Sequence, residues 1–146
     1  MMTMRHRQSG MLMIEVMVTI IIVSFGLLGV AGVILNSLKA NEGSYGRAQA
    51  VWLANDIIDR MRANRTAAES INLPYNLPMN GTPSGTGVPT TDLTSWLAAV
   101  AATLPSGKGA VSVVSATKKV SVTVQWDDSR VSGGASSQQF VVETRL

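Results

Sequence analysis

Hydrocarbon and polar positions are sharply segregated along this chain. From Met11 to Leu35 the sequence is apolar except for a few small or hydroxyl residues and one charge, Glu15. A helix of this length, at about 1.5 Å per residue, covers roughly 37 Å, enough to cross a bilayer. The segment 1–10 ahead of it is short, polar and basic. Between Asn36 and Arg65 the pattern changes to a stripe. Ala50, Leu53, Ala54, Ile57, Ile58 and Met61 recur at helical spacing, with Asn55, Asp56, Asp59, Arg60 and Arg62 on the other side. The spacing predicts one helix whose second half is amphipathic. Asp56 and Arg60 form an i,i+4 pair in the favourable order. Gly43 and Gly46 are expected to weaken the junction between the halves by about 1 kcal/mol each relative to alanine.

The next stretch breaks regular structure. Leu73–Thr91 contains Pro74, Pro78, Pro83 and Pro89 with Gly81, Gly85 and Gly87, a loop by composition. Thr91 or Asp92 is expected to cap a short helix over Ser95–Leu104, stopped by Pro105 and Gly107. Strict alternation then takes over in Ala110–Ala116 and Lys118–Trp126. Val120, Val122, Val124 and Trp126 share one face, and Ser121, Thr123 and Gln125 the other. After a polar connection, Gln138–Arg145 sets Phe140 and Val142 opposite Val141, Glu143 and Arg145. Three antiparallel strands would bury one face against the 50–61 stripe. The expected class is therefore α+β, a long N-terminal helix packed on a small antiparallel sheet. The expected divisions are 1–10, the membrane half of the helix at 11–35, its amphipathic half at 36–65, a Pro/Gly loop with a short helix at 66–109, and the sheet at 110–146.

Composition narrows the chemistry. There is no cysteine, and the single histidine, His6, lies before the apolar block. Without those side chains, most metal and nucleophile chemistry has no carrier, and no cofactor is expected. Asp127 and Asp128 are a lone acidic pair, which is ordinarily a solvated loop feature rather than a calcium site. The formal charge is +3, from 12 basic and nine acidic residues. Without Arg5 and Arg7 the balance is ten to nine, no footprint for phosphate binding, so a nucleic-acid partner is not expected. Arg5 and Arg7 instead suit a cytoplasmic flank that orients a membrane segment.

The run Arg7-Gln8-Ser9-Gly10-Met11-Leu12-Met13-Ile14-Glu15 carries the chemistry. Gly10 has no side chain to obstruct an extended peptide entering a protease cleft. The basic leader holds that bond at the cytoplasmic face, and the apolar run anchors the substrate. Glu15 is anomalous, because an ionisable group in a membrane segment costs about 3 kcal/mol or more and marks function by default. Cleavage after Gly10 would free an amine on Met11. A neighbouring chain's amine can then neutralise Glu15 when helices stack, which favours the assembled state and sets axial register.

These residues resemble the type IV pilin family, whose signal is cut after glycine and whose mature chain is methylated at its first residue and carries glutamate at its fifth. Gly10, Met11 and Glu15 fit that pattern, with methionine where the family usually has phenylalanine. Within the family the resemblance is to the PilV group of minor pilins. It covers Gln8 to about Arg65 and rests on Ser24-Phe25-Gly26-Leu27-Leu28-Gly29 and on Leu53-Ala54-Asn55-Asp56-Ile57-Ile58-Asp59-Arg60-Met61-Arg62-Ala63-Asn64. The resemblance implies the type IV pilin fold and a non-enzymatic subunit that starts pilus assembly, serving adhesion and twitching motility. It implies a prepilin peptidase, an inner-membrane assembly platform, other minor pilins and the major pilin as partners. It also implies a single-pass inner-membrane precursor, cytoplasmic N-terminus and periplasmic head, then a place near the pilus tip. Gly26, Gly29 and Gly32 are expected to serve helix packing or local loosening, and Leu53, Ile57, Ile58 and Met61 to dock the head.

Other readings share these features. An ordinary secretory signal has a shorter apolar region without a glutamate, and a plain single-span protein leaves the Gly10–Glu15 spacing unexplained. A minor pseudopilin of type II secretion shares the architecture. A tip adhesin or DNA-uptake pilin would place its ligand on the head, for DNA in a patch including Lys118 and Lys119. Trp52 lies opposite the apolar stripe, either as a subunit contact or buried by a head that wraps the helix. Trp96 and Trp126 are expected in the core.

Overall fold

The computed structural model describes residues 11–131 and 133–146. The expected leader 1–10, including Gly10, lies outside them. The described residues fall into two units, the first ending at Leu38 and the second Lys39–Leu146. Helix α1 spans Met11–Ala63.

In the first unit, every described side chain from Met13 onward is exposed. The apolar window of α1 has a mean hydropathy of 2.7, long and apolar enough by length and composition to cross a membrane. Its hydroxyls are satisfied within the helix. Thr19 Oγ1 donates to the Glu15 carbonyl at 2.8 Å and Ser24 Oγ to the Ile20 carbonyl at 2.7 Å. Such back-bonding lets polar side chains sit in an apolar helix without orphaned donors.

The second unit holds the rest of α1, a four-residue turn α2 (Arg65–Ala68), helix α3 (Val88–Thr103) and strands β1 (Lys108–Val114), β2 (Lys119–Trp126) and β3 (Gln138–Arg145). The strands form one antiparallel sheet in the order β1-β2-β3. Period-two burial puts Val111 and Val113 of β1 and Val120, Val122, Val124 and Trp126 of β2 inward. They meet Ala50, Leu53, Ala54, Ile57, Ile58 and Met61 of α1 and Leu93, Trp96 and Val100 of α3 in a single core. The class is α+β, a long N-terminal apolar helix with a small three-stranded antiparallel sheet, as the sequence predicts.

Two elements depart from the sequence reading. Helix α3 starts at Val88 rather than Ser95, and its N-cap is Gly87 rather than Thr91 or Asp92. Pro89 sits in the first turn, where its missing N–H costs nothing. A proline that reads as loop is therefore a helix starter. Thr91 Oγ1 instead donates back to the Gly87 carbonyl, and the Asp92 carboxylate accepts from Tyr75. Strand β1 begins two residues early, at Lys108, and stops at Val114. Gly109 falls within it because Trp96 leaves no room for more; a Cβ there would lie 2.3 Å from the indole.

Gly43 and Gly46 do not interrupt α1. Both are close-approach positions. A Cβ on Gly43 would lie 3.0 Å from Val131 Cγ1, and one on Gly46 3.3 Å from Trp126 Nε1. The glycines give up helix propensity so that the 126–131 segment can lie against the helix.

Candidate functional site

Glu15 is exposed on α1, and among the described residues no cation pairs with it. Met11 opens the same helix four residues earlier. One turn of a single helix separates the two positions. Gly26, Gly29 and Gly32 have nothing within 4 Å of a would-be Cβ.

The head-docking residues are placed differently. Leu53, Ile57 and Met61 are fully buried and Ile58 nearly so. Trp96 adds a directional tie, its Nε1 donating to the Leu53 carbonyl at 2.8 Å. Beside this apolar contact lies a polar network, of which the sequence shows only the Asp56–Arg60 pair. Arg60 pairs with Asp56 at 3.0 Å, reaches Asp92 at 3.8 Å and donates to Ser95 Oγ at 2.8 Å. Tyr75 Oη donates to Asp92 Oδ2 at 2.6 Å and accepts from Asn64 Nδ2 at 3.2 Å. The end of α1, the loop after α2 and the first turns of α3 are thus tied by one network. Its local signals are the Asp56–Arg60 i,i+4 pair and the Arg60/Asn64 spacing; the ties to Tyr75, Asp92 and Ser95 are long-range. Burial and the Asp92 carboxylate push the Tyr75 hydroxyl up to about 12.

A second network closes the far end of α1. Glu69 pairs with both Arg65 and Lys118, at 2.7 Å for Lys118. Hydrogen bonds from Lys118 and then Arg65 hold its carboxyl below the usual range. Arg65 Nη2 also donates to the Leu146 carbonyl at 2.8 Å, and Lys119 pairs with Glu143. Both lysines of the imagined DNA patch are therefore engaged with carboxylates.

Trp52 is 63% exposed, so the head does not wrap that side of the helix. Trp96 and Trp126 are in the core. Asp127 caps its own turn, accepting from the Ser129 N–H at 2.9 Å, which lowers its pKa. Among the described residues no three His, Cys, Asp or Glu side chains gather as a metal site. A cleft of about 200 Å3 lies between Glu42–Gln49, Thr103–Pro105 and Trp126–Val131.

Residues 33–79 match a family described as Tt1218-like, type IV pilin Tt1218. That segment contains Asp56, Arg60, Asn64, Glu69 and Tyr75, the members of both networks that come from the end of α1 and the turn and loop after it, and stops before α3 and the sheet. No curated protein and no solved structure gives a significant match. The match supports a type IV pilin family and a pilin role, and with it a structural protein that associates with pilus components. With the apolar α1, it supports membrane anchoring.

Proposed function

We propose that this chain is a minor type IV pilin of the PilV kind, a membrane-held precursor that joins other minor pilins and the major pilin to initiate a filament. One observation carries the reading. An apolar helical stretch with exposed side chains and one unpaired carboxylate, Glu15, runs directly into a segment similar to a type IV pilin. Lipid satisfies the hydrocarbon but not the carboxylate. A peptidase cut between Gly10 and Met11 supplies what Glu15 lacks, the α-ammonium of an adjacent subunit. Methylation of that amine keeps its charge and hence the pairing. Gly26, Gly29 and Gly32 give neighbouring helices close access. The head stays periplasmic and then travels with the pilus tip, in support of adhesion and twitching.

The decisive measurement is the N-terminal mass of protein extracted from membranes and from sheared pili. It should begin at Met11 and be about 14 Da heavier than the unmodified peptide, one added methyl group. A chain still carrying residues 1–10 in cells with working pili would end this reading. Glu15→Ala should be processed normally yet yield fewer pili.

A further inference from the structure

The two edges of the sheet are treated differently. The outer edge of β1 is closed by the chain itself. Leu77 and Val111 exchange both backbone hydrogen bonds at 2.8 Å, and Asn76 Oδ1 accepts from the Val113 N–H at 3.4 Å. The outer edge of β3 has no such cover among the described residues.

The register says which groups are left over. The Leu146 N–H donates to the Lys118 carbonyl, so the even-numbered residues of β3 face β2. By alternation, the N–H and C=O groups of Gln139, Val141, Glu143 and Arg145 point away from the sheet. Charges guard one end of that edge, where Glu143 is paired with Lys119. The other end opens on a groove of about 360 Å3 lined by Arg47 and Val51 of α1 with Trp126, Gln138, Gln139 and Phe140. Val51 is 39% exposed, and among the described residues no carboxylate pairs with Arg47.

We propose that β3 accepts an added strand, an extended segment from a different protein chain that places an apolar side chain on Val51 and Phe140 and a carboxylate on Arg47. The edge specifies extended backbone, because only a strand meets donors and acceptors at this spacing. The groove specifies the side chains, through an apolar floor and an unpaired cation. The inference goes beyond the proposed pilin role and does not depend on how residues 1–10 are processed.

Val141→Pro isolates the edge. It deletes one outward N–H and leaves the β2–β3 ladder intact, the setting in which a strand tolerates proline. The full chain, expressed in its own cells with a photo-crosslinking residue at Gln139, should give an adduct whose peptide map lies in an extended segment of another protein. V141P should abolish that adduct while keeping the unfolding midpoint of the detergent-solubilised protein. Arg47→Glu should weaken it, and Arg47→Lys should restore it. Amide exchange at Val141 and Glu143 should slow in the crosslink-competent state. An adduct to β3 of a second copy, an adduct to a helix, an adduct indifferent to V141P, or none at all would each overturn the proposal. If V141P proves unfolded, the Arg47 pair and the exchange of the outward amides decide it alone.

Discussion

At the scale of single residues, contact rather than propensity explains Gly43, Gly46 and Gly109. Gly109 lies under Trp96, where an added methyl group has no space. Gly109→Ala should destabilise the fold by about 1–3 kcal/mol, the usual cost of overpacking, read by denaturant unfolding. Tyr75 is fully buried with its hydroxyl shared between Asn64 and Asp92. Tyr75→Phe should cost about 1–2 kcal/mol, a hydrogen bond plus the orphaned partners. The hydroxyl also carries a pH signature. Its pKa is raised from 10.0 to about 12 in the folded chain. The native state therefore holds its proton more tightly, and the stabilisation is complete below 10 and is lost as pH rises toward 12. That alkaline loss should be absent from Y75F. Glu69 has the opposite sign. Its pKa is lowered from 4.5, so its contribution is complete above that value and disappears as pH falls through the lower folded value. Glu69→Gln should flatten that part of the acid-unfolding profile.

Among the elements, sequence legibility followed the range of the interactions. The 50–61 stripe and the alternation in β2 and β3 are short-period signals; the stripe and the inward side chains of β2 are buried as their spacing predicts, and those of β3 alternate between half-buried and exposed. The first turn of α3 was hidden by Pro89 and three nearby glycines, because composition cannot distinguish a proline that ends a helix from one that begins it. The Leu77–Val111 bridge joins residues 34 positions apart, and the Arg60–Asp92–Tyr75 network depends on where α3 docks. The bridge leaves no local trace, and the network leaves one only at its helix end, in the Asp56/Arg60/Asn64 spacing. Arg60, Met61 and Asn64, which carry the family resemblance, prove to be a polar staple on either side of a core methionine. Arg60→Ala should therefore lower head stability without changing the N-terminal mass, a separation that unfolding and mass spectrometry can make on one sample.

For the whole molecule, the division of labour lies between residues that hold the head and residues the head leaves open. Trp52 belongs to the second group at 63% exposure. Trp52→Ala should shift unfolding by no more than about 0.5 kcal/mol, as for other surface changes, while reducing recovery of the protein in sheared pili. Loss of stability instead would place Trp52 in the fold. The open face was legible from counting about 100° per residue along α1; which of its two readings holds was not, because that turns on how far the sheet reaches around the helix.

The three indoles sit in three different surroundings: Trp96 sealed and bonded to a helix carbonyl, Trp126 sealed with its Nε1 unbonded, and Trp52 in solvent. The chain thus contains its own optical gauge. Iodide should dim only the red-shifted emission of Trp52, and the loss of that quenching as subunits gather would time filament growth with no dye attached.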